Sequence, residues 1–283
     1  MIENFDQELE KFKEAMIEIK NYQSFTNSLV QRLSVYEHEL EKNKIIIIKD
    51  EKDWSKSTNF LFKDYGSGQL KSLAFSEFTI GDFKRIELEL KNRQYQLLLL
   101  NAFEAFEKYL KWAKSCITTN SSKQKTERFS PTKFIITLHK TIPVISTIIK
   151  SRNENNPEFL DEINLFLTFS LIEQLRHQIT HTSGYAEDKS IFIKNCLERI
   201  GRYSNGKPKS GYTDYLNRFF GTKKYENLIC LIELRDKENP FYYYDRLGDL
   251  IKELASYIVF IHGYIKSTSD VAISVEPLAA PSA

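Results

Sequence analysis

The stretch that decides the fold is Gln96-Leu-Leu-Leu-Leu-Asn-Ala-Phe-Glu-Ala-Phe-Glu-Lys-Tyr-Leu-Lys-Trp-Ala113. It has no Gly or Pro and it is apolar nearly all round. Its flanks extend the same helical pattern from Asp82 to about Lys114. A helix of this kind has to be enclosed by others, so the sequence predicts a buried core helix. Helical signals recur on both sides of it. Phe5, Leu9, Phe12, Met16 and Ile19 recur at three- and four-residue steps, and the stripe resumes at Val30, Leu33 and Leu40. This predicts one long N-terminal helix or two in series. Pro131, after Ser130 as N-cap, opens a helix that Pro143 kinks or splits. Pro157 is expected to open another, with Glu158, Asp161 and Glu162 in its first turns, running through Leu175 to a stop at Ser183-Gly184. Further helices are expected at Ile191–Ile200 and Tyr242–Ile265.

Between these lie Ile45–Ile48, a candidate short strand, and Phe60–Leu73, which holds Gly66-Ser67-Gly68 and reads as a turn region. The polar run Thr118–Thr126 reads as a linker. The last seventeen residues, from Ser267, are small, Pro/Ala-rich and expected to be disordered. The expected fold class is therefore mainly α, a helical bundle with an N-terminal helical extension. The expected organisation is an extension over 1–73, a helical domain over 74–266 and a tail over 267–283.

Composition narrows the function classes. The chain has 283 residues, only 10 Gly and 7 Pro, and 40 basic against 38 acidic side chains for a net charge of +2. That balance excludes a histone-like basic protein, so any polyanion site has to be local. The most apolar stretch, Ile163–Ile172, is too short to span a bilayer and is interrupted by Asn164, Thr168 and Ser170. The acidic, amphipathic beginning of the chain lacks an apolar secretory core, and Cys116, Cys196 and Cys230 are isolated, without C-x-x-C spacing. A cytoplasmic protein with reduced thiols is expected. No Walker or dinucleotide fingerprint occurs, so no cofactor is expected.

Chemistry concentrates in Glu173-Gln-Leu-Arg-His-Gln-Ile-Thr-His181, which holds two of the five histidines. His177 and His181 are spaced i, i+4 and share a helical face, which suits a metal chelate. The zinc-hydrolase helix needs Glu after its first His, however, and Gln178 stands there, so no catalytic metal is expected. RNA cleavage without a metal needs a proton-transfer group and a cation for the phosphoryl oxygens. Histidine and arginine suit these roles, and His181 and Arg176 supply them. An i, i+5 pair on one ideal helix diverges by about 140°. Either the helix ends near His181, or two copies meet across a two-fold axis.

The run R-H-x-x-x-H at the end of an apolar helix resembles the R-x4–6-H motif of the HEPN superfamily of all-helical ribonucleases. Arg176 matches the motif's Arg, His177 its polar neighbour and His181 its terminal His. Glu104-Ala-Phe-Glu-Lys108 is similar to the E-x-x-x-K element of an upstream helix in several of those families, although the plain reading of Glu104 and Lys108 is a helical ion pair. The resemblance implies a four- or five-helix bundle, a homodimer with a composite active site, and a metal-free endoribonuclease from a toxin–antitoxin or phage-defence setting, with an antitoxin or defence partner. Arg199, Arg202, Lys207 and Lys209, interleaved with Tyr203, Tyr212, Tyr215, Phe219 and Phe220, are candidates for contacts to single-stranded RNA. The competing class is a non-catalytic helical module that dimerises or holds a partner.

Overall fold

The computed structural model describes residues 2–42, 55–64, 66–67, 69–117, 129–157, 160–209, 211–222, 225–234 and 243–273. Over these residues the chain forms eight helices and three two-stranded pairs. In chain order they are α1 (Ile2–Lys42), β1 (Ser55–Lys63), β2 (Leu70–Thr79), α2 (Ile80–Ile117), α3 (Pro131–Thr141), α4 (Pro143–Asn155), α5 (Glu162–His181) and α6 (Lys189–Arg199). Then follow β3 (Tyr203–Ser204), β4 (Lys207–Pro208), α7 (Tyr212–Asn217), β5 (Ile232–Leu234), β6 (Tyr243–Asp245) and α8 (Arg246–Ile273). The protein is mainly helical, as its composition and periodicity require.

The helix starts follow local chemistry. Ser130 caps α3 by accepting from the Lys133 amide, with Pro131 in the first turn. Pro143 separates α3 from α4, and the two axes turn by 98°. The start of α5 differs from expectation. Pro157 lies in a turn, and Asp161 is the N-cap, accepting from the Asn164 amide at 2.7 Å. An aspartate cap satisfies an orphan helix donor, which a proline at the first position cannot do.

Two compact units divide the chain elsewhere than the expected 73/74 boundary. One comprises residues 1–22, 95–233 and 244–283; the other comprises 23–94 and 234–243. The division falls inside α1 and α2. The start of α1 is thus part of the larger unit's core rather than an extension: Leu9, Phe12, Met16 and Ile19 are buried, and Phe12 packs on Tyr109 with ring centroids 5.8 Å apart.

In the larger unit α5 is the enclosed helix. Leu165, Leu167, Phe169, Leu171, Ile172, Leu175 and Ile179 are all buried, and α3, α4, α6 and α8 pack around it. Phe106 of α2 stacks on Phe169 at 5.4 Å, and Phe169 meets Tyr257 of α8 edge-on at 4.9 Å. Each such side chain contributes about 1.5–3 kcal/mol when fully buried. The α2 segment 96–113 is less enclosed than its composition predicts: Leu97 and Glu104 are exposed, while Leu99, Ala102, Phe106 and Leu110 face inward. Two buried histidines join the helices. His262 meets the Tyr109 hydroxyl through Nδ1 (2.8 Å) and Asp6 through Nε2 (3.2 Å). His139 meets Glu162 through Nδ1 (2.9 Å) and the Tyr257 hydroxyl through Nε2 (3.2 Å).

The smaller unit departs from the expected helical extension. Phe60–Leu73 belongs to an antiparallel hairpin, β1–β2, pairing Ser55 with Thr79 through Lys63 with Leu70, with a bulge at Phe60/Leu61. Around its turn Asp64 accepts from the Gly66 amide (2.9 Å) and the Ser67 hydroxyl (2.7 Å) and pairs with Lys71. The Lys71 ammonium, with the other donors, holds the Asp64 carboxyl down at about 2. Strand-like flanks on both sides of a Gly-containing turn were the available signal, and the glycines masked it. The expected strand at Ile45–Ile48 lies outside the described residues. Residues 267–273, assigned to a disordered tail on composition, form the last turns of α8; the rest of that tail lies outside the described residues. Among the described residues no single helix is long and apolar enough to cross a membrane.

Burial, against the opposing pull of Glu162, lowers the affinity of His139 for a proton. The unfolded chain then binds that proton more readily than the folded one, so stability is full above about pH 6.5 and falls as the pH drops below it. Thermal melts of the wild type across pH 7.5 to 5 should show this acid-side fall in Tm, and His139→Gln should flatten it. An unchanged slope in the variant would disprove the assignment.

Candidate functional site

The last turns of α5 pass from core to surface. Leu175 and Ile179 are buried, Arg176 and Gln178 half-buried, and His177, Thr180 and His181 exposed. His181 is the final helical residue. Thr182 caps the end, with its amide donating to the Gln178 carbonyl at 2.8 Å. Ser183 and Gly184 then turn the chain at φ +56° and +86°, as the Ser-Gly stop predicts. The turn is clamped from α2: the Gln96 amide donates to the Ile229 carbonyl at 2.9 Å, and the Ile229 amide donates to the Gly184 carbonyl at 3.0 Å.

Within the larger unit a groove of about 1600 Å³ runs past this helix end. Its walls come from α1 (Glu8, Lys11, Phe12), α2 (Phe103, Glu104, Lys108), the start of α3 (Ser130, Lys133), α5 (Glu173, Arg176, His177) and α6 (Ile191, Arg199). The sequence-predicted residues Arg176, His177, Glu104, Lys108 and Arg199 are thus brought together. His181 does not line the groove; its ring lies against that of His177, centroids 4.6 Å apart. Arg202, Lys207 and Lys209 do not line it either. Arg202 lies over the Tyr212 ring (6.0 Å), and Lys207 and Lys209 are exposed on and beside the β3–β4 hairpin. The aromatics of that stretch divide: Phe219 and Phe220 are buried, and Tyr215 is held against Thr168 at 3.2 Å, where burial pushes its hydroxyl up to about 12.

Charge in the groove is unevenly engaged. The Arg176 guanidinium lies over the Phe103 ring, 5.9 Å from its centroid, and among the described residues it makes no ion pair. Glu104 and Lys108 do not form the expected helical ion pair; both are exposed, and the neighbouring Glu107–Lys111 pair closes instead at 2.7 Å. Arg199, expected as an RNA contact, is held by the protein. It pairs with Glu173 at 2.9 Å, and the Gln174 side-chain oxygen accepts from its Nη2 (2.8 Å) and Nε (3.1 Å). The other Glu173 oxygen accepts from the Ser130 hydroxyl (3.1 Å) and the Thr132 amide (3.2 Å), docking the start of α3 onto α5. Sequence reasoning assigned no role to Glu173 or Lys133. Nothing in their spacing shows that the α3 start returns to this point of α5.

Two replacements test this framework. Glu173→Ala leaves Arg199 and the α3 start without their shared acceptor, and urea denaturation should show a loss of about 1–3 kcal/mol. Gly184→Ala places a Cβ against the buried Gln96 amide at a backbone angle that side chains rarely adopt. A loss of about 1–3 kcal/mol is expected, and unchanged stability would remove the turn from the account.

No protein-family model matches the chain, and neither a curated protein nor a solved structure matches it.

Proposed function

We propose that this chain is a metal-independent endoribonuclease of the kind that the Arg176–His181 motif resembles. The observation that carries the reading is Arg176. It is a half-buried guanidinium over an aromatic ring, without an ion pair among the described residues, facing a groove that Lys108 and Lys133 also line. A planar fork free of a carboxylate suits a phosphodiester, whose oxygens it can bind in pairs.

In this reading the RNA 2′-OH attacks the adjacent phosphorus and the P–O5′ bond breaks. The products carry a 2′,3′-cyclic phosphate and a 5′-OH. Arg176 neutralises the charge growing on the non-bridging oxygens, and His181 transfers the proton, assisted or oriented by His177. Arg176 opens on the groove and His181 lies beyond its lining, consistent with the divergence of an i, i+5 pair. A second copy related by a two-fold axis would complete the cleft by supplying the missing histidine. Arg202, Lys207 and Lys209 would extend the contact to flanking phosphates, and Glu104 and Lys108 would border the scissile one. A toxin–antitoxin or phage-defence role, with its partner protein, follows from the same resemblance.

Incubated with RNA, the full chain should produce fragments whose 5′-OH ends a polynucleotide kinase labels without prior phosphatase treatment, and EDTA should not stop the reaction. His181→Ala should slow cleavage by about 10²–10⁴-fold with an unchanged helical circular-dichroism spectrum. Arg176→Lys should fail as well, because an ammonium cannot reproduce the bidentate fork. Strict dependence on Mg²⁺, or full activity in His181→Ala, would overturn the proposal.

A further inference from the structure

We propose that His177 and His181 form a two-point chelate for a divalent transition-metal ion such as nickel(II) or copper(II). The two rings stand one helical turn apart on the exposed side of α5, with centroids 4.6 Å apart and planes inclined by 54°. Metal–imidazole bonds are about 2.0–2.1 Å long. Two imidazoles on one ion therefore have centroids roughly 4.5 Å apart at an N–metal–N angle of 90°, and about 5.2 Å apart at the tetrahedral angle. The observed spacing lies close to these values, so the two exposed imidazoles can meet one ion.

His181 ends the helix, where the backbone dipole favours positive charge. Among the described residues no group of three His, Cys, Asp or Glu side chains converges on one point. The ion would therefore keep water in its remaining positions and exchange readily, unlike a structural zinc closed by four protein ligands. Magnesium, which demands oxygen donors, would not bind.

One consequence rests on the ribonuclease reading above. A chelated ion occupies the imidazole lone pairs that proton transfer requires, so the site would be inhibitory, and EDTA would restore cleavage.

Isothermal titration of the untagged full chain with nickel chloride tests the site without reference to activity. One ion should bind per chain. His177→Ala and His181→Ala should each weaken binding by at least the roughly 10–100-fold that loss of even an outer-shell partner costs. Nickel should still bind in Arg176→Ala, and magnesium should give no saturable heat. No saturable nickel binding, or wild-type affinity in either single histidine variant, would overturn the chelate. Nickel binding by a chain that cleaves no RNA even when metal-free in EDTA would leave the chelate standing and count against the ribonuclease reading alone.

Discussion

The larger unit depends on the burial of α5. Its sequence offers no polar face over most of its length, so water has to be excluded on every side, and α3, α4, α6 and α8 do this together with Phe106 of α2. Even its polar residues are satisfied inside: Ser170 donates to the Cys196 carbonyl at 3.0 Å, and Thr168 to the Asn164 carbonyl at 2.9 Å. Apolar burial alone is non-directional and would tolerate several arrangements of these helices. The directional groups narrow them. His139 joins α3 to α5 and α8, His262 joins α2 to α1 and α8, and Glu173 joins α5 to the start of α3 and to α6.

The same helix explains where the candidate site lies. Within two turns α5 leaves its enclosure, and its side chains change from Leu175 and Ile179 to Arg176, His177 and His181. The candidate site is thereby attached to the most enclosed helix of the unit while Arg176, His177 and His181 remain accessible, a sound arrangement for holding side chains in register. Two arginines that line the same groove are engaged differently. Arg199 is committed to Glu173 and Gln174 and stiffens the wall, whereas Arg176 is left to face the groove.

Legibility in the sequence followed the range of the physics. Caps, proline breaks and glycine stops act over a few residues, so Ser130, Pro143 and Ser183-Gly184 mark their boundaries in the structure as they do on paper. The error at Pro157 arose within that same range, since Asp161 is the stronger cap. The β1–β2 hairpin was obscured because its glycines dominate a short window, while its pairing joins residues up to 24 positions apart, Ser55 with Thr79.

By itself the sequence determined the mainly helical class, most of the helix boundaries and the clustering of Arg176, His177 and His181, because periodicity, capping and i, i+4 spacing are local properties of the chain. Only the tertiary structure decided which helix is the enclosed one, that the beginning of α1 belongs to the larger unit, that Arg199 pairs with Glu173 while Arg176 makes no ion pair among the described residues, and that Lys133 and Lys108 share a groove with Arg176 and His177. Those outcomes depend on which surfaces meet. Contacts such as Asp6 with His262, or Gln96 with Ile229, join residues far apart in the chain, and no short window of sequence records them.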